Sequence, residues 1–195
     1  ENPHQRAALY REEGWRGPSV TSAEQLGGKT LSYNNLADAD AALALVREFV
    51  DPAAVVVKHT NPCGVARHAT DITRAFEAAL ETDPMSAFGG IVALNRRVDI
   101  EAAEAIAKIF FEVILAPGFD EDALERLRRK KNLRLLQLPD LAGLQQAMMD
   151  LKRIRGGYLL AQWDDEIRAT HEVVSARAPA ADELAALEFA WAVCK

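Results

Sequence analysis

Lys58 and His59 stand side by side where an apolar run, AAVVV at 53–57, gives way to TNPCG at 60–64. An imidazole can take and return a proton near neutral pH. A lysine ammonium can hold a phosphate or stabilise negative charge developing on an oxygen. Pro62 biases Asn61 toward an extended conformation and Gly64 permits a sharp return, so the Asn61 amide and the imidazole are expected to be held in place. The competing reading is a plain turn whose Lys-His pair meets solvent, and the stretch alone leaves both open. A second loop, DPMSAFGG at 83–90, leads into another apolar run. Its paired glycines fit a tight turn or close helix packing, with a phosphate cradle as the functional alternative.

Metal and thiol chemistry are tested by the same residues. Pro62-Cys63 is half of the zinc deaminase motif, which needs a His-x-Glu and a Cys-x-x-Cys. His59 is followed by Thr60 and Asn61, and Cys63 by Gly64, Val65 and Ala66. The ligand set is incomplete, and a metal site is rejected. A nucleophilic pair of Cys63 with His59 lacks a third group to orient the base, and an inert thiol is the commoner state of such a cysteine. Cys63 and Cys194, the two cysteines, stand too far apart in sequence to suggest a disulfide framework or a four-ligand zinc site, and a reducing compartment is expected.

The elements that must position these residues follow from composition and periodicity. With 195 residues and a hydrophobic share of 49%, the chain can bury a substantial core. A net charge of -6 argues against a general nucleic-acid binder, which needs a broad surplus of cations. The one dense basic cluster, ERLRRKKNLR at 125–134, reads as the solvated face of a helix, with Leu124, Leu127 and Lys131 at helical spacing and Arg128 and Arg129 outward. No run of about 18 apolar residues suggests a membrane span, and the opening ENPHQRAALYREEG has no secretion-signal pattern. The expected location is cytoplasmic.

DADAALALVREFV at 38–50 places Ala42, Leu45, Val46 and Phe49 on one stripe, a predicted helix with Asp38 or Asp40 as N-cap. AAVVVKH at 53–59 is a continuous apolar run of the kind expected for a strand covered on both faces. ITRAFEAALETD at 72–83 predicts a second helix with Ile72, Ala75, Phe76, Ala79 and Leu80 inward, stopping before Pro84. IVAL (91–94) and VILA (113–116) predict strands around a helix at 100–112, and EDALERLRRKKN (121–132) then LRLLQL (133–138) predict one more helix and strand. Strand and helix alternating in this way imply an α/β domain with a mostly parallel sheet and helices on both faces. Ligands of such sheets bind beyond the carboxyl ends of strands. Beyond that core, placed at about 30–140, residues 139–155 read weakly as helix, GGYLLAQWDDE (156–166) as a strand, 166–180 as extended, and PAADELAALEFAWAVCK as a closing helix. That helix reaches the last residue without a Gly or Asn cap, and ENPHQ opens abruptly, which is the pattern expected of an excised piece.

ENPHQ (1–5), LSYNNLADADAA (31–42), VKHTNPCGVA (57–66), DPMSAFGGIVALNR (83–96), FFEVILAPGF (110–119) and ALEFAWAVCK (186–195) together resemble one family, in one order, across essentially the whole chain. That family is the bifunctional purine-biosynthesis enzyme joining AICAR formyltransferase to IMP cyclohydrolase. The chain is similar to the first part of the formyltransferase region, with residues 141–195 leading toward a second half. The resemblance implies a cytidine-deaminase-like α/β subdomain without zinc. It also implies formyl transfer from 10-formyltetrahydrofolate, as co-substrate, to the 5-amino group of AICAR.

On this resemblance Lys58 and His59 match the catalytic pair. His59 is the expected general base, and Lys58 the expected nucleotide contact and charge stabiliser. Gly89 matches a backbone contact to the AICAR base, Glu112 an acidic nucleotide contact, Met85 a folate-side contact, and Asn35 and Asn61 lie in motifs near the nucleotide. The family also implies a homodimer with sites near the subunit interface. An upstream Arg-Tyr pair, and a downstream oxyanion-stabilising Asn with most of the folate pocket, belong to the family pattern outside these residues, so the isolated chain is expected to be inactive. The alternative is a nucleotide-binding or dimerisation module that kept the fold without the chemistry. Adjacent strand residues face opposite ways, so a shared site predicts that regular pairing ends at or just before Lys58.

Overall fold

Short β-branched runs alternating with alanine-rich stretches fold into a sheet between helices. The computed structural model describes residues 4–141, 148–164 and 172–194, which fall into two units, Glu1–Leu144 and Gln145–Lys195. In the first, β1 (Glu24–Gly27), β2 (Ala53–Lys58), β3 (Asn61–Arg67), β4 (Ile91–Leu94), β5 (Val113–Ala116) and β6 (Arg134–Gln137) form one sheet. Their spatial order is β1-β6-β5-β4-β2-β3. The helices are α1 (Tyr33–Val46), α2 (Ile72–Thr82), α3 (Pro84–Ala87), α4 (Ile100–Ala107) and α5 (Glu121–Arg128). β4, β5 and β6 pair in parallel, whereas β2 is antiparallel to both β4 and β3, and β1 is antiparallel to β6. β3, β4, β5 and β6 therefore point one way, which is the sense in which the sheet is mostly parallel. Its pairing is mixed, because a β2–β3 hairpin replaces a further helical crossover.

Both faces of this sheet are covered, and the burial follows the period of two along each strand. Ala54, Val56, Val92, Leu94, Ile114, Ala116 and Leu135 pack in one cluster with Phe76 and Ala79 of α2, Ala102 and Ile106 of α4, and Leu127 of α5. The alternate residues Val55, Val57, Ile91, Ala93, Val113 and Leu115 are equally buried. α1, which lies outside that cluster, packs against β2, β4 and β5. Phe76 and Phe111 meet edge to face at 5.9 Å between ring centres. Each large apolar side chain so buried contributes about 1.5–3 kcal/mol relative to exposure.

Helix ends differ from the sequence expectation for identifiable reasons. Neither Asp38 nor Asp40 caps α1; both lie inside it. The cap is Ser32, whose hydroxyl accepts from the Asn35 amide while the Asn35 side-chain oxygen accepts from the Ser32 amide, each at 3.1 Å. α4 stops at Ala107 rather than at 112 because the following backbone joins the sheet: Phe110 O accepts from Gly89 N, and Glu112 N donates to Gly90 O. α5 likewise ends at Arg128, ahead of the expected 132. α2 matches its prediction, with Asp71 as N-cap accepting from the Thr73 and Arg74 amides. Asn95, buried at the far end of β2, donates to Phe49 O and Asp51 O and accepts from Ala53 N.

TNPCG is not the turn. Asn61–Arg67 is a strand, and the reversal falls on His59 and Thr60 alone. Pro62 is tolerated because β3 is an edge strand. Gly64 makes no sharp return; it lies within β3 beside a register shift, where Val56 faces Gly64 and Val57 faces Pro62. A Cβ at Gly64 would sit 2.0 Å from Ala79 O of α2, so the glycine allows helix and strand to touch.

In the second unit, β7 (Met149–Ile154) and β8 (Gly157–Gln162) form an antiparallel hairpin. The helix expected over 139–155 is thus a strand from Met149 onward, because its backbone groups are taken by β8; 142–147 lie outside the described residues. The strand expected within 156–166 is β8. Residues 172–180 carry neither helix nor strand, and 165–171 lie outside the described residues. α6 (Ala181–Cys194) opens with Glu183 accepting from Ala180 N and pairing with Arg177. No helix among the described residues is long and apolar enough to cross a membrane.

The contact at Gly64 gives a stability prediction. Gly64→Ala must push α2 away from β3 and is expected to cost about 1–3 kcal/mol, seen as a lower urea midpoint. Gly157→Ala, with nothing within 4 Å of the new Cβ, is the control and is expected to leave the midpoint nearly unchanged.

Candidate active site

Strand direction decides which candidate residues can meet. Because β2 runs against its neighbours, its carboxyl end lies beside the amino ends of β3 and β4, and through β4 beside those of β5 and β6. Lys58, Asn61, the Gly89-Gly90 pair before β4, Glu112 before β5, and Arg134 therefore lie along one edge of the sheet. The expectation that a site lies beyond carboxyl ends holds for β2 and for β1, whose last residue Gly27 pairs with Leu135 beside Arg134. The four co-directional strands present their amino ends.

Pairing of β2 with β4 ends at Val57, and with β3 at Lys58 opposite Asn61, as a shared site requires. The two-residue turn that follows has φ of 55° at His59 and 62° at Thr60, the left-handed pair that matches hairpin twist. These angles break the strand's alternation before the imidazole is placed. Two left-handed residues other than glycine cost about 1–3 kcal/mol each. The Asp38 carboxylate accepts from Thr60 N at 2.7 Å and from His59 N at 3.3 Å. Hydrogen bonds to a charged group contribute about 1.5–3 kcal/mol each, less where exposed as here, so the two terms are of similar size. His59 O accepts from Thr60 Oγ1 at 2.7 Å and from Asn61 Nδ2 at 2.9 Å. The main chain of His59 is thus held on both sides while the residue is exposed.

Lys58 Nζ donates to Phe88 O at 2.9 Å, linking the turn to the second candidate loop. An ammonium has three donors, so this bond leaves donors for a ligand. The loop begins at Asp83, which caps α3 by accepting from Ser86 N at 2.9 Å and from Ser86 Oγ at 2.6 Å. The Ser86 hydroxyl first, then its amide, hold the Asp83 carboxyl below the ordinary aspartate range, and the positive charge of Lys58 adds to this. The two glycines do not form a phosphate cradle, since Gly89 N donates to Phe110 O and Gly90 N to Ala87 O. Gly90 is needed for closeness: a Cβ there would be 3.0 Å from both Ala87 O and Val57 O. Any ligand contact from the Gly89 main chain would use its carbonyl oxygen.

Glu112 is ion-paired with Arg134, whose Nε also donates to Thr30 O at 3.2 Å. Arg134 is buried and Glu112 half-exposed, so the carboxylate is oriented from behind and open in front. Asn35 is buried, with its carbonyl oxygen committed to the α1 cap. Met85 is exposed on α3. Among the described residues, neither Asn35 nor Met85 hydrogen-bonds Lys58, His59 or Glu112. Cys63 Sγ reaches Val56 O at 3.5 Å, and burial pushes its thiol above the ordinary range. No group of three or more His, Cys, Asp or Glu among the described residues is arranged to hold a metal ion.

Sequence reasoning did not place Asp38, Asp83 or Arg134 at the site. Asp83-Pro84 with Ser86 was a legible cap signal, and Arg134 was read only as the last cation of the basic cluster at 125–134. The helical pattern marked Asp38 only as a candidate N-cap, not as a group facing the turn at His59.

Comparison of the whole sequence with known proteins places the chain in a family. The AICARFT/IMPCHase bienzyme family matches residues 1–195, and the chain belongs to that family. It is 53% identical over 202 residues to the bifunctional purine biosynthesis protein PurH of Magnetococcus marinus, covering 100% of this chain and 37% of that protein. Against PurH of a Thermoanaerobacter species it is 51% identical over 198 residues, covering 100% of this chain and 38% of that protein. The chain thus spans a little over a third of these curated relatives. An Acinetobacter baumannii RibD structure aligns at a TM-score of 0.39 and 17% identity, over 54% of this chain and 34% of that one. That likeness assigns no fold.

The lowered Asp83 predicts a pH dependence. An acid whose folded value lies below its unfolded value adds stability that is present above the unfolded value, about 4, and is lost as pH falls through the folded one. Asp83→Asn is therefore expected to be less stable than wild type at pH 7, with the gap closing as pH is lowered below about 4. Urea unfolding across that range measures it, and a gap that is constant with pH contradicts the assignment.

Proposed function

We propose that this chain supplies the catalytic base and part of the nucleotide site of an AICAR formyltransferase acting in purine biosynthesis. The observation that carries the reading is the fixed turn at the sheet edge. His59 is held by its main chain with its ring toward solvent, next to a lysine tied to the Gly89 loop. The aromatic amine of AICAR is a poor nucleophile, so a positioned base contributes most as the nitrogen attacks the formyl carbon of 10-formyltetrahydrofolate. His59 takes the proton from the attacking amine. The bond from the formyl carbon to the folate nitrogen then breaks, and the proton passes to that nitrogen, giving formyl-AICAR and tetrahydrofolate. Lys58 offers its remaining donors to the nucleotide and to charge on the formyl oxygen in the transition state.

Around this pair, Glu112 held by Arg134 presents a carboxylate to ribose hydroxyls or the carboxamide amine. The Gly89 carbonyl faces the base, Asn35 and Asn61 border the nucleotide, and the exposed Met85 gives the folate an apolar contact. No step requires a metal. The same reading makes the full-length protein a cytoplasmic homodimer that also carries IMP cyclohydrolase. The 195-residue chain, a little over a third of its relatives, is expected to turn over little by itself.

The test is formyl transfer by the full-length parent with AICAR and 10-formyltetrahydrofolate. His59→Ala is expected to lower kcat by about 10²- to 10⁴-fold with a small change in KM. Unchanged turnover would falsify the base assignment.

A further inference from the structure

We propose that Asp38 is the positioning residue for His59, an inference that rests on the base reading above. One carboxylate spans two successive amides, with Oδ1 on Thr60 N at 2.7 Å and Oδ2 on His59 N at 3.3 Å. Both are the left-handed residues of the hairpin turn. Asn, Asp and Gly are favoured at such positions, and a positive φ at a β-branched residue such as Thr60 is a genuine outlier. The local sequence therefore argues against the very turn that carries the base. Something outside the hairpin must hold it.

Asp38 is suited to that by where it stands. It lies inside α1, whose start is fixed by the Ser32 cap and whose Ala39 and Ala42 are fully buried. The carboxylate is thus anchored through a helix to the same sheet that carries the turn. The His59 carbonyl is gripped separately, by Thr60 Oγ1 and Asn61 Nδ2. With the backbone fixed before and after the ring, only the side-chain torsions of His59 remain to place the imidazole. Without the carboxylate, the turn can relax toward ordinary backbone angles, which rotates the Cβ direction and carries the ring away from the amine. Asp38 touches neither substrate nor imidazole in this account and acts through the main chain.

A merely structural aspartate would change melting temperature and leave kcat alone, so a mutant cycle separates the two roles. In the full-length protein, Asp38→Ala is expected to lower kcat about tenfold to a hundredfold, the cost of a misplaced group, with KM for AICAR within about threefold. In the His59→Ala background it is expected to cost no more than about twofold, because residues acting as one unit are not additive. Thr60→Gly added to Asp38→Ala is expected to restore about fivefold or more, since glycine accepts the left-handed region without strain. Should Asp38→Ala fail to fold by circular dichroism, Asp38→Asn, which keeps one acceptor oxygen, is read in its place, with an expected loss of about three- to tenfold. A folded Asp38 variant with kcat within twofold of wild type overturns the proposal, as does a full additive loss in the His59→Ala background or no recovery with Thr60→Gly. If His59→Ala is inactive and Asp38→Ala is not, only the positioning role falls. An active His59→Ala removes the base reading and this proposal with it.

Discussion

Strand β2 runs against both of its neighbours, and the candidate site is gathered by that reversal. In a sheet wound entirely by helical crossovers, the carboxyl end of one strand and the amino end of the next lie at opposite edges, about a strand length apart. Reversing one strand folds that distance away. Lys58 at the end of β2 then meets Phe88 ahead of β4 through a single hydrogen bond, although 30 residues separate them. The arrangement depends on β2 being apolar over its whole length, since every residue from Ala53 to Val57 is buried between two helical layers.

Such a strand leaves its polar obligations to its ends. At the start, the Asn95 side chain satisfies three main-chain groups around Phe49, Asp51 and Ala53. At the finish, Asp38 satisfies the two amides of a turn that hydrophobic packing could not have specified. The buried groups around Asn95 would each cost about 1–3 kcal/mol if left without partners, whereas the turn amides at Asp38 are exposed and their bonds act by holding the shape of the turn. Arg134 is the same kind of solution three strands further along, at the start of β6, a buried cation matched by Glu112 and by the Thr30 carbonyl.

The parts of this protein legible from sequence are those set by apolar periodicity. The runs AAVVV, IVAL, VILA and LRLL declared buried strands, and ITRAFEAALETD declared a helix, because period and burial coincide there. Direction was not legible: nothing in AAVVVK says that it runs against IVAL, so the edge that gathers the site could not be read from pattern. The turn was misplaced for a related reason: His59 was counted in the apolar run and Thr60 in a TNPCG turn, whereas the reversal falls on these two residues. Their left-handed angles come from a carboxylate 21 and 22 residues away, and turn propensities describe only neighbours. Met149–Ile154 was mistaken for helix because its strand identity lies in pairing with Gly157–Gln162. Lys58 and His59 were found through residue type and family resemblance; the groups that hold them were found only in three dimensions.

The buried amide of Asn95 has a consequence for how the sheet avoids misassembly. It binds the main chain at the entrance of β2 at fixed points, while Asp38 does so at the exit, and the strand between is nearly uniform in side-chain size. Ala-Ala-Val-Val-Val alone would slide by a residue at little cost in apolar contact. A slip of one place would draw Lys58 into the dry position of Val57, taking a charge out of water. It would also leave three main-chain bonds at Asn95 without matching partners. The two clamps act as a vernier on an otherwise featureless strand, and they make correct alignment of the polar edge a condition of closing the core.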